Sequence, residues 1–74
     1  MEEKLLNVFR CIFNEIDPKE VTLDSEFREW DQFSSLTQVA LIDAITTQLG
    51  VKMKLLQFIK AETIGDVLDI IKEQ

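Results

Sequence analysis

Seventy-four residues with a net charge of −6 allow one small core and exclude several function classes at once. Fourteen acidic residues against eight basic ones disfavour nucleic acid as a partner and give no reason to expect membrane insertion. One proline, two glycines and no alternating apolar runs argue against an all-β fold, and a chain this short favours a simple helical bundle rich in local contacts.

The charge is unevenly placed. Between Glu15 and Asp43 lie Glu15, Asp17, Glu20, Asp24, Glu26, Glu29, Asp31 and Asp43, opposed only by Lys19 and Arg28. That segment holds the whole net charge, whereas Lys52, Lys54 and Lys60 form a basic stretch with no acid among them. Cys11 is the one cysteine and histidine is absent, which excludes an internal disulfide, a Cys–His pair and a zinc site of the usual spacing. An unpaired cysteine fits a reducing compartment, and the acidic start Met1-Glu2-Glu3 does not resemble a signal peptide. A cytoplasmic location is expected.

Taken in order, Leu5, Val8, Phe9, Ile12 and Ile16 recur at helical spacing and predict a first helix from Glu2 to about Ile16. Asp17-Pro18 closes it, because the residue before proline is pushed out of the α region. Residues 17–34 form a long connection without a clear period. Val21, Leu23, Phe27, Trp30 and Phe33 interrupt its acids and predict a loop pinned to the bundle by aromatic anchors.

Ser34 is then a candidate N-cap, with Ser35 as the first residue of a second helix that runs to about Leu49 and ends at Gly50. At 100° per residue, Leu41, Ile42, Ile45 and Leu49 make a core stripe. Leu36, Val39 and Ala40 make a second apolar stripe beginning beside Ser35, the expected face for a partner, with Asp43 on the outer surface. Leu55 to about Lys60 predicts one short helical turn. Thr63-Ile64-Gly65-Asp66 resembles a capping box that opens a last helix to about Lys72. The expected architecture is all-α, a single domain over residues 1–74: three main helices plus a short one, with a long loop after the first.

Several short motifs then share one order and spacing. Ser34-Ser35-Leu36 at a helix start, Phe27 eight residues before Ser35, Leu49-Gly50-Val51 and Thr63-Ile64-Gly65-Asp66-Val67 together resemble the acyl carrier proteins and the peptidyl carrier domains of multienzyme synthases. In that family the second helix starts with Asp-Ser-Leu. The match makes Ser35 the equivalent of the serine that bears 4′-phosphopantetheine, with Ser34 standing where aspartate is usual. Carriers of fatty acid synthesis also tend to have a strongly acidic second helix, whereas this one offers only Asp43.

The resemblance implies a non-catalytic monomer that carries acyl or aminoacyl groups as thioesters on the arm, with a cleft under the second and third helices that could shelter an acyl chain. It implies as partners a phosphopantetheinyl transferase, an acyl- or aminoacyl-loading ligase, and downstream synthase or transferase enzymes. Leu36, Val39, Ala40 and Asp43 would form the partner-binding surface. The weak acidity of the second helix points to a specialised lipid or secondary-metabolite pathway rather than the housekeeping one. Two alternatives are a carrier of a nonribosomal-type pathway and a helical interaction module that never receives the arm.

Overall fold

A computed structural model describes residues 1–74. It contains four α-helices and no strand: α1 (Glu2–Ile12), α2 (Ser35–Leu49), α3 (Leu55–Phe58) and α4 (Ile64–Lys72). The all-α expectation holds, as do the bounds of α2 and α4. Glu2 and Glu3 lie in the first turn of α1 and Arg10 in its last, the arrangement its dipole favours.

Helix α1 is shorter than its apolar spacing predicts, ending at Ile12 rather than near Ile16. Phe13 leaves helical geometry at φ −97° and ψ 60°, while its N–H still donates to Phe9 O at 2.8 Å. The reason is tertiary. The Phe13 ring is fully buried, stacked near Phe9 and in edge contact with Trp30 at 4.8 Å between centroids. Bending the backbone there keeps the ring in the core and starts the long loop four residues earlier. Helix α3 likewise stops two residues short of Lys60, and its last carbonyls are taken up by tight turns into Ala61.

The core joins all four helices and the loop. Leu5, Leu6, Val8 and Phe9 of α1 face Leu41 and Ile45 of α2, and Ile64, Val67, Leu68 and Ile71 of α4 complete the cluster. Ile42 and Leu49, read as core positions, are half-buried at its edge.

The loop is ordered by its own chemistry. It holds two 3₁₀ turns, Pro18–Glu20 and Phe27–Glu29. The first opens on Asp17, whose Oδ1 accepts from Lys19 N at 3.0 Å. The second buries Phe27 completely, against Phe9, Phe33 and Phe58. Trp30 and Phe33 are only half-buried, so the aromatic anchoring rests chiefly on Phe27.

Loop carbonyls also cap α4. Leu23 O accepts from Gly65 N at 2.8 Å and Ser25 O from Ile64 N at 3.2 Å, satisfying two donors that a helix start leaves free. A Cβ at position 65 would sit 3.0 Å from Leu23 O, so a glycine is what lets the loop backbone approach this closely. Thr63 and Asp66 form the expected reciprocal cap. Thr63 Oγ1 accepts from Asp66 N at 3.1 Å, and Asp66 Oδ2 accepts from Thr63 N at 3.2 Å and Glu62 N at 3.0 Å.

Candidate functional site

The start of α2 has the form expected of it, with one addition. Ser34 is the N-cap in extended conformation (φ −155°, ψ 175°), and its Oγ accepts from Thr37 N at 3.3 Å. Thr37 completes a reciprocal box: its hydroxyl accepts from Ser34 N and lies 3.2 Å from Gln32 O. The sequence signal for this was weak, because glutamate or glutamine usually fills that third position.

With Ser34 consumed by the cap, Ser35 is left chemically free. It is the first residue of α2, it is exposed, and its hydroxyl makes no hydrogen bond within the chain. The N–H groups of Ser35 and Leu36 also have no acceptor in the chain. Unpaired N–H groups and the positive end of the helix dipole both favour an anion at this point. The first turn of α2 contains no acidic side chain to oppose one.

Leu36 is 83% exposed and Val39 61% exposed, and Ala40 and Asp43 are exposed with them. The structure therefore places Ser35, Leu36, Val39, Ala40 and Asp43 on the outer side of α2, opposite Leu41 and Ile45.

Arg28 is the residue that reading the sequence missed. It counted only as one of two bases in an acidic segment, yet it stitches three elements together. Its Nε donates to Ala61 O at 2.6 Å, its Nη2 to Phe58 O at 2.7 Å, and its Nη1 to Gln38 Oε1 at 3.0 Å. The guanidinium carbon also lies 5.3 Å from the ring centroids of Phe27 and Phe33 and 5.5 Å from that of Phe58. Burial lowers its pKa from the ordinary arginine value, and the nearby charge of Glu62 acts in the opposite direction. The one sequence hint was its position directly after Phe27, within an aromatic loop.

The cleft under α2 and α3 implied by the family resemblance does not appear as an apolar cavity. Phe27, Phe33 and Phe58 meet there beneath Arg28. The surface pocket beside them is polar, lined by Glu26, Arg28, Glu29 and Glu62. No helix is long and apolar enough to cross a membrane.

Comparison with known proteins gives one finding. Residues 3–71 match the family model described as phosphopantetheine attachment site. No curated protein and no solved structure gives a significant match. The free serine hydroxyl and open N–H groups at a helix start suit a phosphate-linked group, and the family match spans nearly all of the four-helix chain. The chain belongs to the phosphopantetheine attachment family, whose members bear covalently bound 4′-phosphopantetheine as carrier proteins.

Proposed function

We propose that Ser35 is the attachment serine of a single carrier domain spanning residues 1–74. The observation that carries this reading is the contrast between two adjacent hydroxyls: that of Ser34 is held in the cap and that of Ser35 is free and exposed. A transferase would join the phosphate of the arm, supplied by coenzyme A, to Ser35 Oγ. The P–O bond to serine forms as the pyrophosphate bond breaks, the adenosine bisphosphate leaves, and the serine proton passes to a base on the transferase. The N–H groups of Ser35 and Leu36, which have no acceptor in the chain, would favour the negative charge of the phosphodiester at this helix start.

When bound, the arm supplies a thiol that holds acyl or aminoacyl groups as thioesters. The chain's own residues do the rest: Ser34 and Thr37 fix the start of the helix, and Leu36, Val39, Ala40 and Asp43 present a surface to the loading ligase and downstream enzymes. The chain itself catalyses nothing in this reading. With Asp43 as its only acid, α2 fits a specialised lipid or secondary-metabolite pathway better than bulk fatty acid synthesis.

Incubation with a broad-specificity phosphopantetheinyl transferase and coenzyme A, followed by intact-mass measurement, tests the assignment. One adduct is expected on the wild-type chain and on Ser34→Ala, and none on Ser35→Ala. An adduct lost with Ser34 and kept without Ser35 overturns it, and an unmodified wild type favours the interaction module that never receives the arm.

A further inference from the structure

Ser34 and Ser35 adjoin in sequence and both are exposed, so access alone does not choose between their hydroxyls. A transferase working at the start of α2 meets two nucleophiles of the same chemical type. What separates them is hydrogen bonding, and all of it runs through Thr37.

The Thr37 hydroxyl lies 2.9 Å from Ser34 O and 3.2 Å from Gln32 O, and it accepts from Ser34 N. Carbonyl oxygens only accept, so the single Thr37 hydroxyl proton goes to one of these two. Gln32 O has no other donor in the chain. The lone pairs of Thr37 Oγ1 are then left for Ser34 N–H and for the Ser34 hydroxyl, whose oxygen is 3.2 Å away. In that arrangement Ser34 Oγ–H is the donor of the pair. On its other side Ser34 Oγ accepts from Thr37 N at 3.3 Å. One threonine thus engages both the proton and a lone pair of the Ser34 hydroxyl. The Ser35 hydroxyl has neither engaged within the chain.

A serine attacks by turning a lone pair on the electrophile and passing its proton to a base. For Ser34 both are held by Thr37, and swinging its side chain out of the cap strands Thr37 N–H without an acceptor. We propose that Thr37 is a positioning residue that confines modification to one serine, by holding the Ser34 hydroxyl in the cap as an inactive neighbour of Ser35. The proposal rests on Ser35 being the attachment serine and adds the residue that enforces the choice. In the suppressed reaction a P–O bond would form to Ser34 Oγ as the pyrophosphate bond of coenzyme A breaks. Adenosine bisphosphate would leave, and the serine proton would pass to the transferase base.

The test uses the full chain, the transferase and coenzyme A, with intact mass as the readout. Thr37→Val keeps the side-chain shape and the backbone N–H and removes only the hydroxyl. Ser35→Ala is expected to stay unmodified, whereas Ser35→Ala combined with Thr37→Val should gain one adduct. Adding Ser34→Ala to that pair should abolish the adduct, which places it on Ser34. Ser35→Ala with Thr37→Ser, which restores a hydroxyl, should again stay unmodified. A second readout needs no transferase: Thr37→Val should speed hydrogen exchange of the Ser34 amide, and Thr37→Ser should not.

The proposal fails if Ser35→Ala with Thr37→Val stays unmodified, or if the serine variant at position 37 behaves like the valine one. It also fails if Ser34 amide exchange is unchanged in Thr37→Val. Loss of modification in Thr37→Val alone overturns it too, because Thr37 would then serve the fold or recognition and not the choice between hydroxyls. A wild type modified at Ser35 with these outcomes sinks only the role of Thr37. A wild type left unmodified, or modified at Ser34, sinks the attachment reading and this proposal with it.

Discussion

Arg28 donates from Nε to the carbonyl oxygen of Ala61 at 2.6 Å, across 33 residues of sequence. That bond joins the acidic loop to the connection between α3 and α4. With the companion bonds to Phe58 and Gln38, it adds a polar tie between the loop, α2 and α3 to the aromatic packing of Phe27 on Phe33 and Phe58. The guanidinium suits this because its donors are fixed in a plane and its apolar faces can lie over phenylalanine rings.

Replacing Arg28 should therefore loosen the α2–α3 side of the molecule. Hydrogen bonds from a charged donor contribute about 1.5–3 kcal/mol each when their partners are partly buried. Allowing for solvent at this half-exposed group, Arg28→Ala is expected to destabilise the chain by about 2–3 kcal/mol in urea melts. Arg28→Lys should recover only part of the loss, since an ammonium cannot reach three acceptors in fork geometry. A lysine variant as stable as wild type would show that the charge alone matters.

The two loop phenylalanines should behave differently. Phe27 is fully buried and contacts three other rings, whereas Phe33 is half-buried and contacts Phe27. Phe27→Ala should cost about 3–5 kcal/mol, the range for truncating a buried aromatic. That approaches the total stability of a small domain, so the variant is expected to be partly unfolded at room temperature. Phe33→Ala should remain folded with a clearly smaller shift in urea midpoint. Equal midpoints for the two variants would contradict the burial seen here.

The cap of α2 offers a test in which stability can rise. Ser34→Ala removes the acceptor of Thr37 N and should cost about 1 kcal/mol. Ser34→Asp keeps an acceptor and adds negative charge at the positive end of a helix whose first turn has none. It should match wild type or exceed it by about 0.3–1 kcal/mol at low ionic strength, with the gain shrinking as salt is added. A loss of stability in Ser34→Asp would mean that the Thr37 hydroxyl network outweighs the dipole.

Asp66 sets a pH dependence. Hydrogen bonds from the N–H groups of Glu62 and Thr63 hold its pKa below the ordinary aspartate value, with a smaller opposing effect from burial. A carboxyl whose folded pKa is depressed adds stability that is fully present above its unfolded pKa, near about 3.9, and is lost as pH falls through the folded value. Thermal melts from pH 5 downward should therefore show a steeper loss for wild type than for Asp66→Asn. Near neutral pH the asparagine variant should be the less stable of the two. Parallel curves would show that this cap contributes nothing to acid unfolding.

Local chemistry in the sequence was enough to determine α2 and α4. Ser34 and Gly50 bound α2, Thr63 and Asp66 open α4, and Gly50 adopts the left-handed φ of 68° that glycine tolerates. The same local reading separated Leu41 and Ile45 from Leu36 and Val39, because helical periodicity assigns faces without knowledge of neighbours. Only the tertiary structure decided where α1 ends, since Phe13 bends the backbone to reach Trp30, a residue 17 positions away. It also decided what Arg28 does. Nothing near Arg28 in sequence announces that Gln38, Phe58 and Ala61 will converge on it, because their meeting depends on how the loop crosses α2 and α3. Periodicity and caps act within a few residues and survive in the bare sequence, whereas contacts between distant segments exist only once the chain has closed around its core.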